Sequence, residues 1–178
     1  MNGELKKEIA EKLKETGAVR FGDFVLSSGK RSSIYIDIKH ACTHPDILAM
    51  IAKGMKELAD SEALDFQRIA CVELGGVPIA VALSLETGKP YAIFRKQKKD
   101  YGVKDDLVGV IEKGDKILVV EDVTTTGSSA LSAVERVRAR GGEVEAVLVV
   151  VDREEGAAEA FREKGVRLIP LLSLGDLR

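Results

Sequence analysis

The sequence predicts an α/β protein with a mainly parallel sheet flanked by helices, and three observations carry that expectation. Five short apolar runs, RIACVEL, YAIFR, KILVVE, VEAVLVVV and VRLIPLL, lack polar alternation, which is how strands buried on both faces read. Helical stretches at about 78–86, 128–140 and 156–164 fall between them, so strand and helix alternate and the strands should run parallel. The chain has 178 residues, 45% of them hydrophobic and 31% charged, enough for a single domain over 1–178 with its own core.

Taken in order, the first segment places Leu5, Ile9 and Leu13 at i, i+4 and i+8 among Lys and Glu. That is one narrow apolar stripe on a helix ending near Gly17. In FGDFVLSSGKRSSIYIDIK, Ile34, Ile36 and Ile38 alternate with Tyr35, Asp37 and Lys39, with SSGK as the turn. The pattern predicts a hairpin from about Phe24 to Lys39. Pro45 suits the first turn of a second helix, which carries Ile47, Leu48, Ile51, Met55 and Leu58 at helical spacing to about Asp60. The strands and helices of the parallel sheet follow. One connection, KQKKDYGVKDDLVGVIEKGD, is long and polar with no helical stripe. Loops of that length are usually functional or disordered. Ligands of open α/β sheets bind beyond the carboxyl ends of the strands, where the loops after CVEL, AIFR and VVED should emerge.

Composition excludes several classes of function. A net charge of -2 provides no general basic field for nucleic acid or an anionic membrane. Cys42 and Cys71 lie far apart in neither a CxxC nor a Cys/His spacing, which argues against a zinc site or a disulfide framework. No apolar stretch approaches the ~20 residues that span a bilayer, and the charged start MNGELKKEIAEKLKET is unlike a signal peptide. A cytoplasmic protein is expected.

The stretch KILVVEDVTTTGSS changes abruptly from apolar to acidic to hydroxyl-rich. Read as strand, loop and helix, it places TTTGSS around a helix N-terminus, where free N–H groups and the positive end of the macrodipole favour an anion. A simple helix cap is the competing reading. Glu121 and Asp122 at the strand's end can accept hydrogen bonds from vicinal sugar hydroxyls or help hold Mg²⁺. Carboxylates for a ribose beside a cradle for its phosphate make a ribose-phosphate site. Arg153, in VDREEG, reads on its own as a surface salt bridge to Glu154 or Glu155, and Tyr35 and Ile36 read as ordinary hairpin core.

ILVVEDVTTTGSS resembles the phosphoribosyl pyrophosphate signature of type I phosphoribosyltransferases. FVLSSGKRSSIYIDIK, VELGGVPIA, RKQKKDYG and VVVDREEGA occur in the order and spacing of the orotate phosphoribosyltransferase family, from about Phe21 to the C-terminus. The resemblance implies a hood largely from about 1–40 over a core of about 41–170. It also implies transfer of the 5-phosphoribosyl group from phosphoribosyl pyrophosphate to orotate, with Mg²⁺ as cofactor, in a homodimer whose mobile loop closes over the partner's site.

Carried over by position, Glu121 and Asp122 meet the ribose hydroxyls, while Val123, Thr124, Thr125, Thr126, Gly127, Ser128 and Ser129 receive the 5′-phosphate. Arg95, Lys96, Lys99 and Tyr101 serve phosphoribosyl pyrophosphate from the mobile loop. Thr125, Arg153, Tyr35 and Ile36 face orotate, and Lys99 and Asp122 are the implied catalytic residues. A guanidinium fork suits the orotate carboxylate. Three positions depart from the family pattern: Ser27 and Gly75 stand where many bacterial members have lysine, with Lys30 or Arg31 as compensations, and Tyr101 stands where the mobile loop often has histidine. A purine or uracil phosphoribosyltransferase, or a regulator built on the same fold, are the alternatives. The regulator would need a nucleic-acid-binding element, and no basic patch or added helix-turn-helix is evident.

Overall fold

The computed structural model describes residues 3–25, 29, 31–96 and 106–178. Helix α1 (Gly3–Glu15) turns Leu5, Ile9 and Leu13 inward, as their spacing predicts. Strands β1 (Val19–Val25) and β2 (Arg31–Ile36) form an antiparallel pair. After it come the one-turn helix α2 (Ile38–Ala41) and α3 (Pro45–Ser61), with Pro45 in its first turn. The remaining elements are β3 (Arg68–Val72), α4 (Gly76–Thr87), β4 (Tyr91–Phe94), β5 (Leu107–Val108), β6 (Ile117–Thr124) and α5 (Ser128–Ala139), then β7 (Ala146–Asp152), α6 (Ala157–Glu163), β8 (Arg167–Ser173) and a 3-10 turn at Leu174–Leu177.

Six strands make one sheet in the order β5-β4-β3-β6-β7-β8. All neighbours are parallel except β5, which pairs antiparallel with β4 through Ile93–Val108 and Phe94–Leu107. The strands lack polar alternation because both faces are covered. Leu118, Val120, Leu148 and Val150 pack with Ile9, Ile51, Met55 and Leu83 from α1, α3 and α4. The intervening Val119 and Val147 pack with Val134, Val137 and Phe161 from α5 and α6. Each such side chain, fully buried, contributes about 1.5–3 kcal/mol relative to exposure.

Two expectations need correction. The hairpin starts at Val19 rather than near Phe24, because most of β1 is exposed and its register shifts between Phe21 and Phe24, so it carries no clean alternation. It also ends at Ile36 rather than Lys39. The Asp37 carboxylate accepts the His40 N–H at 3.1 Å and caps α2, which moves Ile38 and Lys39 from strand to helix. The long polar connection, in turn, contributes the two-residue edge strand β5, too short to show a period. Residues 97–105 of that connection, with Lys99 and Tyr101, lie outside the described residues, as do Ser27 and Lys30.

Candidate active site

The sheet order makes the site. From β3 the chain steps outward to β4 on one side, and from β6 it steps through β7 and β8 on the other. The crevice beyond the carboxyl ends of β3 and β6 is therefore the topological switch point, the place where open α/β sheets take ligands. Its walls are Glu73 to Gly75 after β3 and Glu121 to Ser129 at the end of β6.

Glu121 and Asp122 are both buried at the end of β6. Glu121 Oε1 accepts the Asp122 N–H at 3.2 Å, and Asp122 Oδ1 accepts the Val123 N–H at 2.9 Å. Burial, reinforced by the neighbouring Asp122 carboxylate, pushes the Glu121 carboxyl up to about 8. Two adjacent buried carboxyls resist carrying two charges at once. Asp122 Oδ2 meets the Lys39 ammonium at 3.4 Å.

Beyond the carboxyls, Thr124 to Gly127 turn into α5. Thr124 is buried and its hydroxyl donates to Asp152 Oδ1 at 3.0 Å, so this side chain braces the turn. Gly127 is the N-cap of α5 at φ +80°, with no side chain capping the helix. The first-turn N–H groups of α5 therefore keep their capacity for an external acceptor, which favours the anion reading over the cap. A Cβ on Gly127 would lie 2.6 Å from Phe161 Cε2, so this turn requires glycine for both its φ and its space. The turn and the start of α5 enclose a cavity of ≈ 160 Å³ reaching from Glu121 to Ala130. Beside it a second cavity, ≈ 500 Å³, is lined by Lys39, Glu73, Gly75, Lys96 and Asp122. The two share Glu121, Val123 and Ser129.

Arg153 follows β7, and its N–H donates to Thr124 O at 3.0 Å, which fixes its backbone to the loop. Its guanidinium is buried, donating from Nε to Glu155 Oε1 at 2.9 Å and from Nη2 to Ser32 Oγ at 3.1 Å. The expected salt bridge to Glu155 thus exists, but inside the molecule, where the guanidinium ties the β1–β2 pair to the sheet. Tyr35 and Ile36 are half-buried on β2. The Tyr35 ring packs on Phe24 at 5.6 Å and under the Arg20 guanidinium at 5.0 Å.

Arg95 and Lys96 leave the end of β4. The Lys96 N–H donates to Glu73 Oε1 at 2.7 Å, joining this stem to the loop after β3. Arg136 on α5 donates to Arg95 O at 2.9 Å, to Asp106 O at 3.3 Å and, through Nε, to Asp106 Oδ2 at 2.9 Å. Its guanidinium also stacks on Phe94 at 4.4 Å, and Arg140 is a second partner of Asp106. One side chain thus clamps Arg95 and Asp106 to α5.

Sequence reasoning missed Lys39, Ser32, Asp152 and the Arg136–Asp106 clamp. Only Asp152, adjacent to Arg153, had a local signal. Cys42 and Cys71 are free and buried, and burial pushes both thiols up to about 12, so neither is a nucleophile at neutral pH. Among the described residues no group of three or more His, Cys, Asp and Glu forms a metal cage, and no helix is long and apolar enough to cross a membrane.

Comparison with known proteins bears on the family and the fold. Residues 42–169 match the phosphoribosyl transferase domain family. The chain is 56% identical to the orotate phosphoribosyltransferase of Archaeoglobus fulgidus over 97% of this chain and 92% of that one. Its fold is similar to the crystal structure of orotate phosphoribosyltransferase from Aeropyrum pernix, with a TM-score of 0.85 at 37% identity, covering 95% of each chain. It is also similar to the Mycobacterium tuberculosis orotate phosphoribosyltransferase in complex with 5-phospho-alpha-D-ribosyl 1-diphosphate, with a TM-score of 0.79 at 37% identity, covering 97% of this chain and 98% of that one.

Proposed function

Because the chain belongs to the phosphoribosyl transferase family and, within it, to the orotate phosphoribosyltransferases, we infer that the crevice between β3 and β6 is where phosphoribosyl pyrophosphate meets orotate. The enzyme transfers the 5-phosphoribosyl group to orotate, giving orotidine 5′-monophosphate and pyrophosphate, a step of pyrimidine biosynthesis. The observation that carries the site assignment is the shared wall of the two cavities. A phosphate-sized pocket at the α5 N-terminus and a larger chamber are joined by Glu121, Val123 and Ser129, the arrangement a ribose between two phosphate groups requires.

In this reading the first-turn N–H groups of α5, with the hydroxyls of Thr125, Thr126, Ser128 and Ser129, receive the 5′-phosphate, and Thr124 braces them from below. Glu121 and Asp122 accept the ribose hydroxyls. Arg153 offers its guanidinium to the orotate carboxylate, while Thr125, Tyr35 and Ile36 shape the base site under the β1–β2 hood. Departure of pyrophosphate leaves positive charge on the anomeric carbon. Catalysis therefore rests on positioning the base nitrogen, on the acidic floor beneath the sugar, and on cations for the leaving anion. Arg95, Lys96, Lys99 and Tyr101 are assigned to that anion, with Lys99 foremost.

Mg²⁺ fits the donor set as a substrate-borne ion, since it favours one or two carboxylates plus substrate phosphate oxygens over an all-protein cage. When bound, it supplies charge neutralisation of the pyrophosphate. A homodimer with the segment carrying Lys99 shared between subunits, and a cytoplasmic location suited to two soluble anionic substrates, complete the proposal.

The test is base consumption with phosphoribosyl pyrophosphate and Mg²⁺, offering orotate, uracil, adenine or hypoxanthine in parallel. Turnover of orotate alone is expected, and turnover of another base in its place refutes the base assignment. Mixed Lys99→Ala and Asp122→Ala dimers should regain activity on subunit exchange; no regain despite proven exchange refutes the shared site.

A further inference from the structure

The larger cavity must take a polyanion, yet three of its lining residues are the acids Glu73, Glu121 and Asp122. Position 75 cannot supply a cation. A Cβ there would lie 2.3 Å from Asp122 Oδ2, so the loop after β3 closes against the carboxylate with no room for a side chain. The described cations lining this cavity are Lys96, on the β4 stem, and Lys39, which comes from α2.

Lys39 is placed to do more than pair with an acid. Its backbone is held firmly: Asp37 caps the turn, and Ile38 and Ala41 are fully buried on either side of it. Its side chain is loosely held by comparison, 53% exposed against 12% for Asp122, and the contact between them is long at 3.4 Å. Such a half-solvated pair is weak and readily exchanged. Partial burial opposes the Lys39 charge, but Asp122 and Asp37 outweigh it and raise its pKa, so the ammonium stays charged. Asp122 Oδ1 is already engaged by the Val123 N–H. Lys39 therefore occupies Oδ2, the oxygen that a sugar hydroxyl would need.

We propose that Lys39 is a substrate-binding cation of the pyrophosphate subsite: its ammonium rests on Asp122 Oδ2 and crosses to the incoming pyrophosphate, freeing that oxygen for the ribose. This rests on the assignment of phosphoribosyl pyrophosphate to the crevice. Lys39 thereby supplies from the hood side the charge that Gly75 cannot supply from the sheet side.

Titration calorimetry on the full chain tests it, comparing wild type, Lys39→Met and Lys39→Arg. The ligands are phosphoribosyl pyrophosphate, Mg²⁺-pyrophosphate, and orotidine 5′-monophosphate, which has no pyrophosphate. Lys39→Met should weaken the first two about tenfold or more, the scale of one lost charge-assisted hydrogen bond, and leave the third unchanged or tighter. Lys39→Arg should recover most of the loss.

The same cycle in an Asp122→Asn background separates direct contact from simple neutralisation of Asp122. Direct contact keeps the loss in that background. A loss that vanishes there, an equal weakening of orotidine 5′-monophosphate, or no loss at all overturns the proposal. If wild type binds pyrophosphate ligands and Lys39→Met binds them as well, only the role of Lys39 fails. If wild type binds neither, the substrate assignment fails and this proposal with it.

Discussion

Gly127→Ala probes the turn that leads from β6 into α5. Gly127 has φ +80° and its missing Cβ would lie 2.6 Å from Phe161 Cε2, 3.2 Å from Phe161 Cδ2 and 3.4 Å from Ala157 Cβ. Phe161 is fully buried and cannot swing into solvent. The left-handed backbone costs an L-residue about 1–2 kcal/mol, and forcing a methyl into a packed site costs about 1–3 kcal/mol more. Their sum is about 2–5 kcal/mol, which for a chain of this size lowers Tm by on the order of 10 °C. Thermal and urea unfolding of wild type, Gly127→Ala, Phe161→Leu and the double variant would measure it. Since Phe161→Leu removes the clash but not the strained φ, the double variant should be less destabilised than the sum of the singles. A Gly127→Ala protein within about 0.5 kcal/mol of wild type, the range of an indifferent surface change, would refute the argument, and strict additivity would refute its steric half.

Glu121→Gln should change how stability depends on pH. The folded carboxyl titrates near 8 against an ordinary 4.5, so between those values the folded chain holds a proton that the unfolded chain has lost, and stability falls as pH rises. Denaturation midpoints of Glu121→Gln should be flatter than wild type from about pH 5 to about 8; parallel curves would count against the raised carboxyl. Arg136→Met breaks the clamp on Asp106, whose side chain is 13% exposed. It should cost about 3 kcal/mol, the low end for a broken buried pair because Arg140 still serves Asp106. Urea unfolding checks this, and a cost below about 1 kcal/mol would place the pair among ordinary surface contacts. Arg153→Met should raise KM for orotate roughly tenfold to a hundredfold, the scale of a lost charged hydrogen bond, with KM for phosphoribosyl pyrophosphate little changed; the reverse pattern would remove Arg153 from the base site.

The legible parts of this chain are those whose physics is local. Runs such as VEAVLVVV announce a strand covered on both faces by their lack of alternation, and β7 is indeed buried at all seven positions. Pro45 and the spacing of Ile47, Ile51 and Met55 announce α3. The acidic-to-hydroxyl change after Val120 announces a strand end and a helix start, and β6 ends at Thr124 with α5 beginning at Ser128. The less legible parts had weak or misleading local signals. β1 is mostly exposed, so it has no apolar period. IDIK continues the alternation of β2, and only the Asp37 cap converts it to a helix.

The sequence by itself determined the α/β class and the order of the main strands and helices, because periodicity and capping act over a few residues. Only the tertiary structure decided which distant side chains meet. Lys39 reaches Asp122 across 83 positions and Arg153 reaches Ser32 across 121, while Gly75 closes on Asp122 with no space for a Cβ. These meetings depend on the sheet order β5-β4-β3-β6-β7-β8, which brings the ends of β3 and β6 side by side. That order is a property of how whole layers pack, and no single stretch of the chain encodes it.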